Sequence, residues 1–245
     1  MATATELQAD ILTEGAEVLG IRLTEAQERQ FVRYYAELVR WNERVNLTAI
    51  TEWEAVQTRH FLDSLSAAQA LTTELLQSAS FIDVGSGGGF PGIPMTLAFP
   101  GMRGTLMDST AKKTAFLTRA CEALELQDIL VRTDRAETLA HHDDYREKFD
   151  IAFARAVAEV AALAELTLPF VRVGGTVIMH KKADIAAELE RGQGAIETLG
   201  GSVREVLPVK LAGLQDRALV VLEKLRPTPE RYPRRPGMPS KRPLA

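Results

Sequence analysis

The chain has 245 residues, a net charge of −4, 46% hydrophobic residues and 25% charged residues. That balance is a globular one, and no apolar run approaches the ~20 residues of a membrane span. The single cysteine, Cys121, excludes an internal disulfide framework and suits a reducing cytoplasm. The length holds one large domain, or one domain with an extension. Residues Met1 to Glu6 lack the basic start and apolar core of a secretory signal. The four histidines, His60, His141, His142 and His180, are scattered without a zinc pattern, so no metal is expected. Charge is uneven: residues 231–245 hold five basic residues and no acid, which leaves −9 for the rest of the chain. Any nucleic-acid contact is therefore local.

In chain order, residues 1–78 read as a helical extension, 79–226 as the main α/β domain and 227–245 as a basic, Pro-rich tail. Thr24-Glu-Ala-Gln27 is a capping box, and Phe31, Tyr35, Leu38, Asn42 and Val45 follow at helical spacing. Asn46-Leu47-Thr48 reads as a turn. A second capping box, Thr51-Glu-Trp-Glu54, opens a helix to about Ala70. From Phe81, apolar strands alternate with helices. Strands are expected at 81–84, 104–108, 129–133, 149–154, 174–180, 202–209 and 217–225; helices are expected near 92–99, 111–125, 159–170 and 184–199. The alternation predicts a seven-stranded, mostly parallel, Rossmann-like sheet. The last two strands have no helix between them and should form a hairpin, which makes one strand antiparallel. The tail carries prolines at 227, 229, 233, 236, 239 and 243, and is expected to run extended over the surface rather than as helix or central strand.

The first strand feeds Phe81-Ile-Asp-Val-Gly-Ser-Gly-Gly-Gly-Phe-Pro-Gly-Ile-Pro94. A strand, a glycine turn and a helix N-terminus in succession form a nucleotide-type cradle. Gly85 and Gly87 fit a dinucleotide fingerprint, but Phe90 stands where its third glycine belongs. Asp83 precedes Gly85 by two residues, and a carboxylate there would repel a pyrophosphate. This acid-x-Gly-x-Gly turn resembles the first motif of S-adenosylmethionine-dependent methyltransferases. Asp108 ends the second strand, 23 residues after Gly85, where an acid binds ribose hydroxyls.

The acceptor is narrowed by what is missing. After the fourth strand the chain reads Ala154-Arg155-Ala156-Val157, not the Asn/Asp-Pro-Pro-aromatic turn used on exocyclic amines. Cys121 lies mid-helix, away from the position of a nucleophile for pyrimidine carbons. Arg155 stands where ribose 2′-oxygen methylation uses an aspartate. An acceptor that is already nucleophilic remains: guanine N7, a carboxylate or a phenolate.

Asn46-Leu-Thr-Ala-Ile50, His60-Phe-Leu-Asp-Ser-Leu65, the glycine turn through Pro94, Asp108-Ser-Thr-Ala-Lys-Lys-Thr-Ala-Phe-Leu117, Arg135-Ala-Glu137, Arg155-Ala-Val157 and Tyr232-Pro-Arg-Arg-Pro-Gly237 resemble the ribosomal RNA small subunit methyltransferase G family, in family order. His180-Lys-Lys-Ala183 departs from the Met-Lys-Gly run common in relatives. The resemblance implies methylation of N7 of one guanine in the decoding-region loop of bacterial 16S rRNA. The substrate is the rRNA or the small subunit, and S-adenosylmethionine is the donor. The cofactor residues expected are Asp83, Gly85, Gly87, Gly89, Phe90, Asp108, Ala136, Glu137 and Arg155. Arg155 is also the catalytic candidate, without a general base. Arg135, Arg234, Arg235, Lys241 and Arg242 are the expected RNA contacts. His60 and Asp63, three apart on a helix, form a structural pair or touch the catalytic domain or RNA. Lys112 and Lys113 are solvated or meet phosphate. The protein is expected to be a cytoplasmic monomer. A small-molecule methyltransferase with a helical lid, or a cofactor-sensing interaction protein, are the alternatives.

Overall fold

A computed structural model of the protein describes residues 7–155 and 158–244. Residues 1–6, read above for a signal, and Ala156 and Val157 of the Arg-Ala-Val motif lie outside the described residues. Seven strands form one sheet: β1 Ser80–Val84, β2 Arg103–Asp108, β3 Ile129–Thr133, β4 Phe149–Ala154, β5 Val171–Lys182, β6 Gly201–Pro208 and β7 Arg217–Lys224. Their order is β3-β2-β1-β4-β5-β7-β6. β1 to β5 pair in parallel, and β7 lies antiparallel between β5 and β6. The expected hairpin is present. Its return strand inserts beside β5 and shields the strand that would otherwise have been the edge.

From β1 the chain steps outward to β2 and β3, then returns to place β4 on the other side of β1. The crossovers diverge between β1 and β4, and a crevice opens there at the carboxyl ends of the strands. Asp83 sits in that seam, opposite Leu106 of β2 and Phe153 of β4.

Both faces of the sheet are covered. One core joins Phe81, Leu106, Ile151 and Phe153 to Phe31, Tyr34, Leu38, Phe61 and Leu65 of the N-terminal helices. The extension thus shares the sheet's core. The other core joins Ile82, Val84, Val177 and Val220 to the helix Val160–Thr167 and to Tyr232 of the tail. Burial of these side chains stabilises each face by about 25 cal/mol per Å² of apolar area.

Local details depart from expectation at four places. In the helix Glu25–Val45 the buried face runs through Phe31, Tyr34 and Leu38, while Tyr35 is only half-buried. Thr51 caps nothing: the N-cap of Trp53–Val56 is Glu52, without a side-chain bond. The segment 53–70 is not one α-helix, because Gln57–Leu62 is a π-helix and Ser66–Ala70 a 3₁₀ turn. The tail contains a short helix, Met238–Lys241, with Pro239 in its first turn, where a missing N–H costs nothing.

Candidate functional site

The glycine turn leaves β1 at the crevice. Gly85, Gly87 and Gly89 all have positive φ, at 76°, 56° and 91°. The Gly85 and Ser86 amides donate to the Met107 carbonyl (2.9 Å each), so the turn is tied to β2. A Cβ on Gly85 would meet nothing within 4 Å, so this stretch of backbone faces open space. Gly89 is different: a Cβ there would meet Ile93 at 2.5 Å and the Tyr34 hydroxyl at 2.7 Å. The Tyr34 hydroxyl donates to the Gly88 carbonyl, so the N-terminal extension grips the turn from behind.

Asp83 lies under the turn, fully buried. Its Oδ2 accepts the Gly92 amide at 3.0 Å, and Oδ1 has no partner among the described residues. Burial pushes its carboxyl up to about 7, against the pull of the Gly92 and Ser86 hydrogen bonds and of Arg155. Asp108, at the end of β2, accepts the Gly87 amide on Oδ2 (3.1 Å) and the Thr110 amide on Oδ1 (2.9 Å). Lys113 approaches it at 3.8 Å.

Arg155 follows β4 and turns toward the N-terminal extension. Its Nη1 donates to Asp63 Oδ2 at 3.1 Å and to the His60 carbonyl at 3.3 Å; its Nη2 donates to His60 Nδ1 at 2.5 Å. The guanidinium also sits 4.8 Å from the Phe90 ring centre, and the His60 ring stacks on Phe90 at 4.4 Å. Because His60 Nδ1 accepts from an arginine, its Nε2 carries the proton and donates to Thr48 Oγ1 at 2.7 Å. Burial, and then Arg155, hold His60 down to about 3, so the imidazole is neutral. His180 donates Nε2–H to the Asp63 carbonyl at 3.0 Å and is held down to about 4, chiefly by burial. His60 lies in the π-helix and Asp63 opens the α-helix that follows it, and both side chains reach the one guanidinium.

Gly85, Gly87, Phe90, Asp108 and Arg155 line one cleft of about 440 Å³, with Leu47, Thr48 and His60 as its far wall. Five of the expected cofactor residues therefore come together. Asp83 and Gly89 sit behind the turn. Glu137 is 4% exposed and its carboxylate is committed to Arg135 (2.9 Å) and to the Gly237 amide (2.7 Å). The expected RNA contact Arg234 is committed to fully buried Glu165, at 2.6 and 2.9 Å. Arg235, Lys241 and Arg242 are exposed. Thr48 was not singled out from the sequence; the one available signal was a polar turn between two helices. Among the described residues, no three His, Cys, Asp or Glu gather as they would for a metal.

The model of the rRNA small subunit methyltransferase G family matches residues 27–220, which hold this whole cleft. The chain belongs to that family. Proteins named ribosomal RNA small subunit methyltransferase G match nearly end to end. The one from Roseiflexus sp. (strain RS-1) is 48% identical over 96% of this chain and 99% of its own length. The Bacillus cereus (strain B4264) protein is 44% identical over 92% and 94%. Solved structures share the fold at low identity. The ribosomal protein L11 methylase of Lactobacillus delbrueckii subsp. bulgaricus gives a TM-score of 0.52 at 15% identity, covering 69% of this chain and 79% of that one. A branched-chain polyamine synthase mutein from Thermus thermophilus gives 0.54 at 16%, covering 80% and 64%. Of the motifs quoted from the N-terminal extension, His60–Leu65 holds Arg155 directly, and Asn46–Ile50 supports it through the Thr48 bond to His60.

Proposed function

We propose that the protein transfers a methyl group from S-adenosylmethionine to N7 of a guanine in small-subunit ribosomal RNA. The observation that carries this is the cleft itself: bare glycine backbone open at Gly85, facing Asp108, with a caged arginine beside it. The residues fit the cofactor. A Cβ-free wall admits a ligand chain against the main chain. Each Asp108 oxygen accepts one amide and keeps a lone pair for a ribose hydroxyl. Ala136 and Glu137 contribute backbone only, since the Glu137 side chain is already satisfied.

When bound, the cofactor supplies a methyl group activated by a sulfonium. Guanine N7 carries a lone pair and no proton, so the base attacks directly: the carbon–nitrogen bond forms as the carbon–sulfur bond breaks, and no proton leaves. The chain provides alignment rather than a base. His60 cannot serve as one, because both ring nitrogens are occupied, one by Arg155 and one by Thr48. The Arg155 Nε–H and second Nη2–H have no acceptor among the described residues; they are available to guanine O6 or to the cofactor's carboxylate, with N7 left free. The substrate places the reaction in the cytoplasm.

The test is calorimetry with donor and with NAD, followed by turnover of methyl-labelled donor on small-subunit rRNA lacking the modification. Binding of S-adenosylmethionine but not NAD, and label in that rRNA, are expected. Tight NAD binding, or label only in small molecules, would sink the reading.

A further inference from the structure

The tail lies beyond the residues matched by the family model, yet it is strapped to the body. Arg146 donates to the carbonyls of Thr228 (2.8 Å), Pro229 (3.3 Å) and Tyr232 (2.9 Å). His141 Nε2 donates to the Pro233 carbonyl at 2.8 Å. Arg234 then locks onto buried Glu165 and also donates to the Arg242 carbonyl at 2.8 Å. That last bond closes residues 234–242 into a loop. Finally, the Gly237 amide bonds Glu137, the residue after Ala136 at the carboxyl edge of the sheet. The loop is thereby fixed to the segment that follows β3.

Three cations sit on this loop. Arg235, Lys241 and Arg242 are exposed, and none has an ion-pair partner among the described residues. The acids Glu230, Asp143 and Asp144 are exposed at the other end of the strap, near Arg231 and the His141–Pro233 bond, which leaves Arg231 out of the group. The rest of the chain is net acidic and repels a polyanion, so binding needs a local positive surface held at a set place. We propose that the closed 234–242 loop is a preformed phosphate-binding platform for the RNA substrate, with Arg235, Lys241 and Arg242 as the contacts and Arg234 as the anchor. The proposal rests on the reading of the substrate as small-subunit rRNA.

The test measures affinity for a small-subunit rRNA fragment against salt, in the full-length chain. Each phosphate contact adds a slope of about −0.7 for a single strand, so replacing Arg235, Lys241 and Arg242 together with Ala should flatten the slope by up to about 2. KM for RNA should rise while kcat and cofactor affinity stay unchanged. Glu165→Gln makes the chain less acidic but loosens the anchor; if the platform is preformed, RNA affinity still falls, with the fold checked by circular dichroism. An unchanged slope and KM in the triple variant, while the wild type methylates rRNA, would overturn the platform alone. Wild-type protein that does not methylate rRNA would overturn the reading beneath it as well.

Discussion

Arg155 is a half-buried cation whose surroundings explain why it can stay charged. Asp63 supplies the counter-charge, His60 a neutral acceptor and Phe90 a ring face. Arg155→Ala should cost about 3 kcal/mol of stability, because Asp63 is left buried without its partner, and should lower turnover strongly without shifting the pH–rate curve. Arg155→Lys should rescue stability better than rate, since an ammonium cannot fork between His60 and Asp63; urea melts and single-turnover rates at several pH values check both. Asp83 gives a pH signature of its own. Its carboxyl titrates near 3.8 when unfolded and about 7 when folded. Between those values the folded state holds the extra proton, so this group's contribution to stability falls as pH rises and then levels off above 7. His60 and His180 act oppositely: unfolded imidazoles bind protons near 6.5 that the folded ones refuse until about 3 and about 4, so stability drops as pH falls below 6.5. Asp83→Asn should therefore gain on the wild type progressively from pH 4 to 7 in urea melts; parallel curves would show that the carboxyl is ionised throughout.

At the element scale, the strands and their order of appearance were readable because each is a short apolar run closed by a turn signal. The capping box at Thr24 was equally local, and both of its hydrogen bonds form. The face of the following helix was not readable. Tyr34 and Tyr35 are adjacent and alike, and what buries Tyr34 is a carbonyl of the glycine turn, 54 residues away. Tyr34→Phe should cost about 1 kcal/mol in a urea melt and should weaken cofactor binding, because the turn loses its rear support. An effect on stability with none on cofactor affinity would show that the turn holds its shape unaided. The π-helix was hidden for a similar reason. Apolar periodicity marks a helix but not its pitch, and Gln57–Leu62 widens where His60 must reach Arg155 and Gln57 accepts the Leu12 amide at 3.0 Å.

For the whole molecule, the sheet order fixes the site before any side chain is considered, because divergence of the crossovers at β1 and β4 opens the crevice at Gly85, Asp108 and Arg155. That much followed from alternating strands, glycines and acids in the sequence. The strap did not. Its anchors, Glu137, Arg146 and Glu165, lie roughly 70 to 100 residues from the residues they hold, and a Pro-rich basic run carries no local sign of them. Glu165→Ala should leave Arg234 without its partner, destabilise the protein by about 3 kcal/mol and expose the Arg231–Tyr232 and Arg234–Arg235 bonds to trypsin; equal digestion of variant and wild type would mean the strap is held elsewhere. All of these contacts serve one central assignment, a transfer to guanine N7 without a base. Borohydride–aniline treatment cuts RNA at 7-methylguanosine, so it reads that atom directly. After turnover on unmodified small-subunit rRNA, new cleavage is expected at a single guanine, at constant yield across neutral pH. Methyl incorporation with no such cleavage would contradict it.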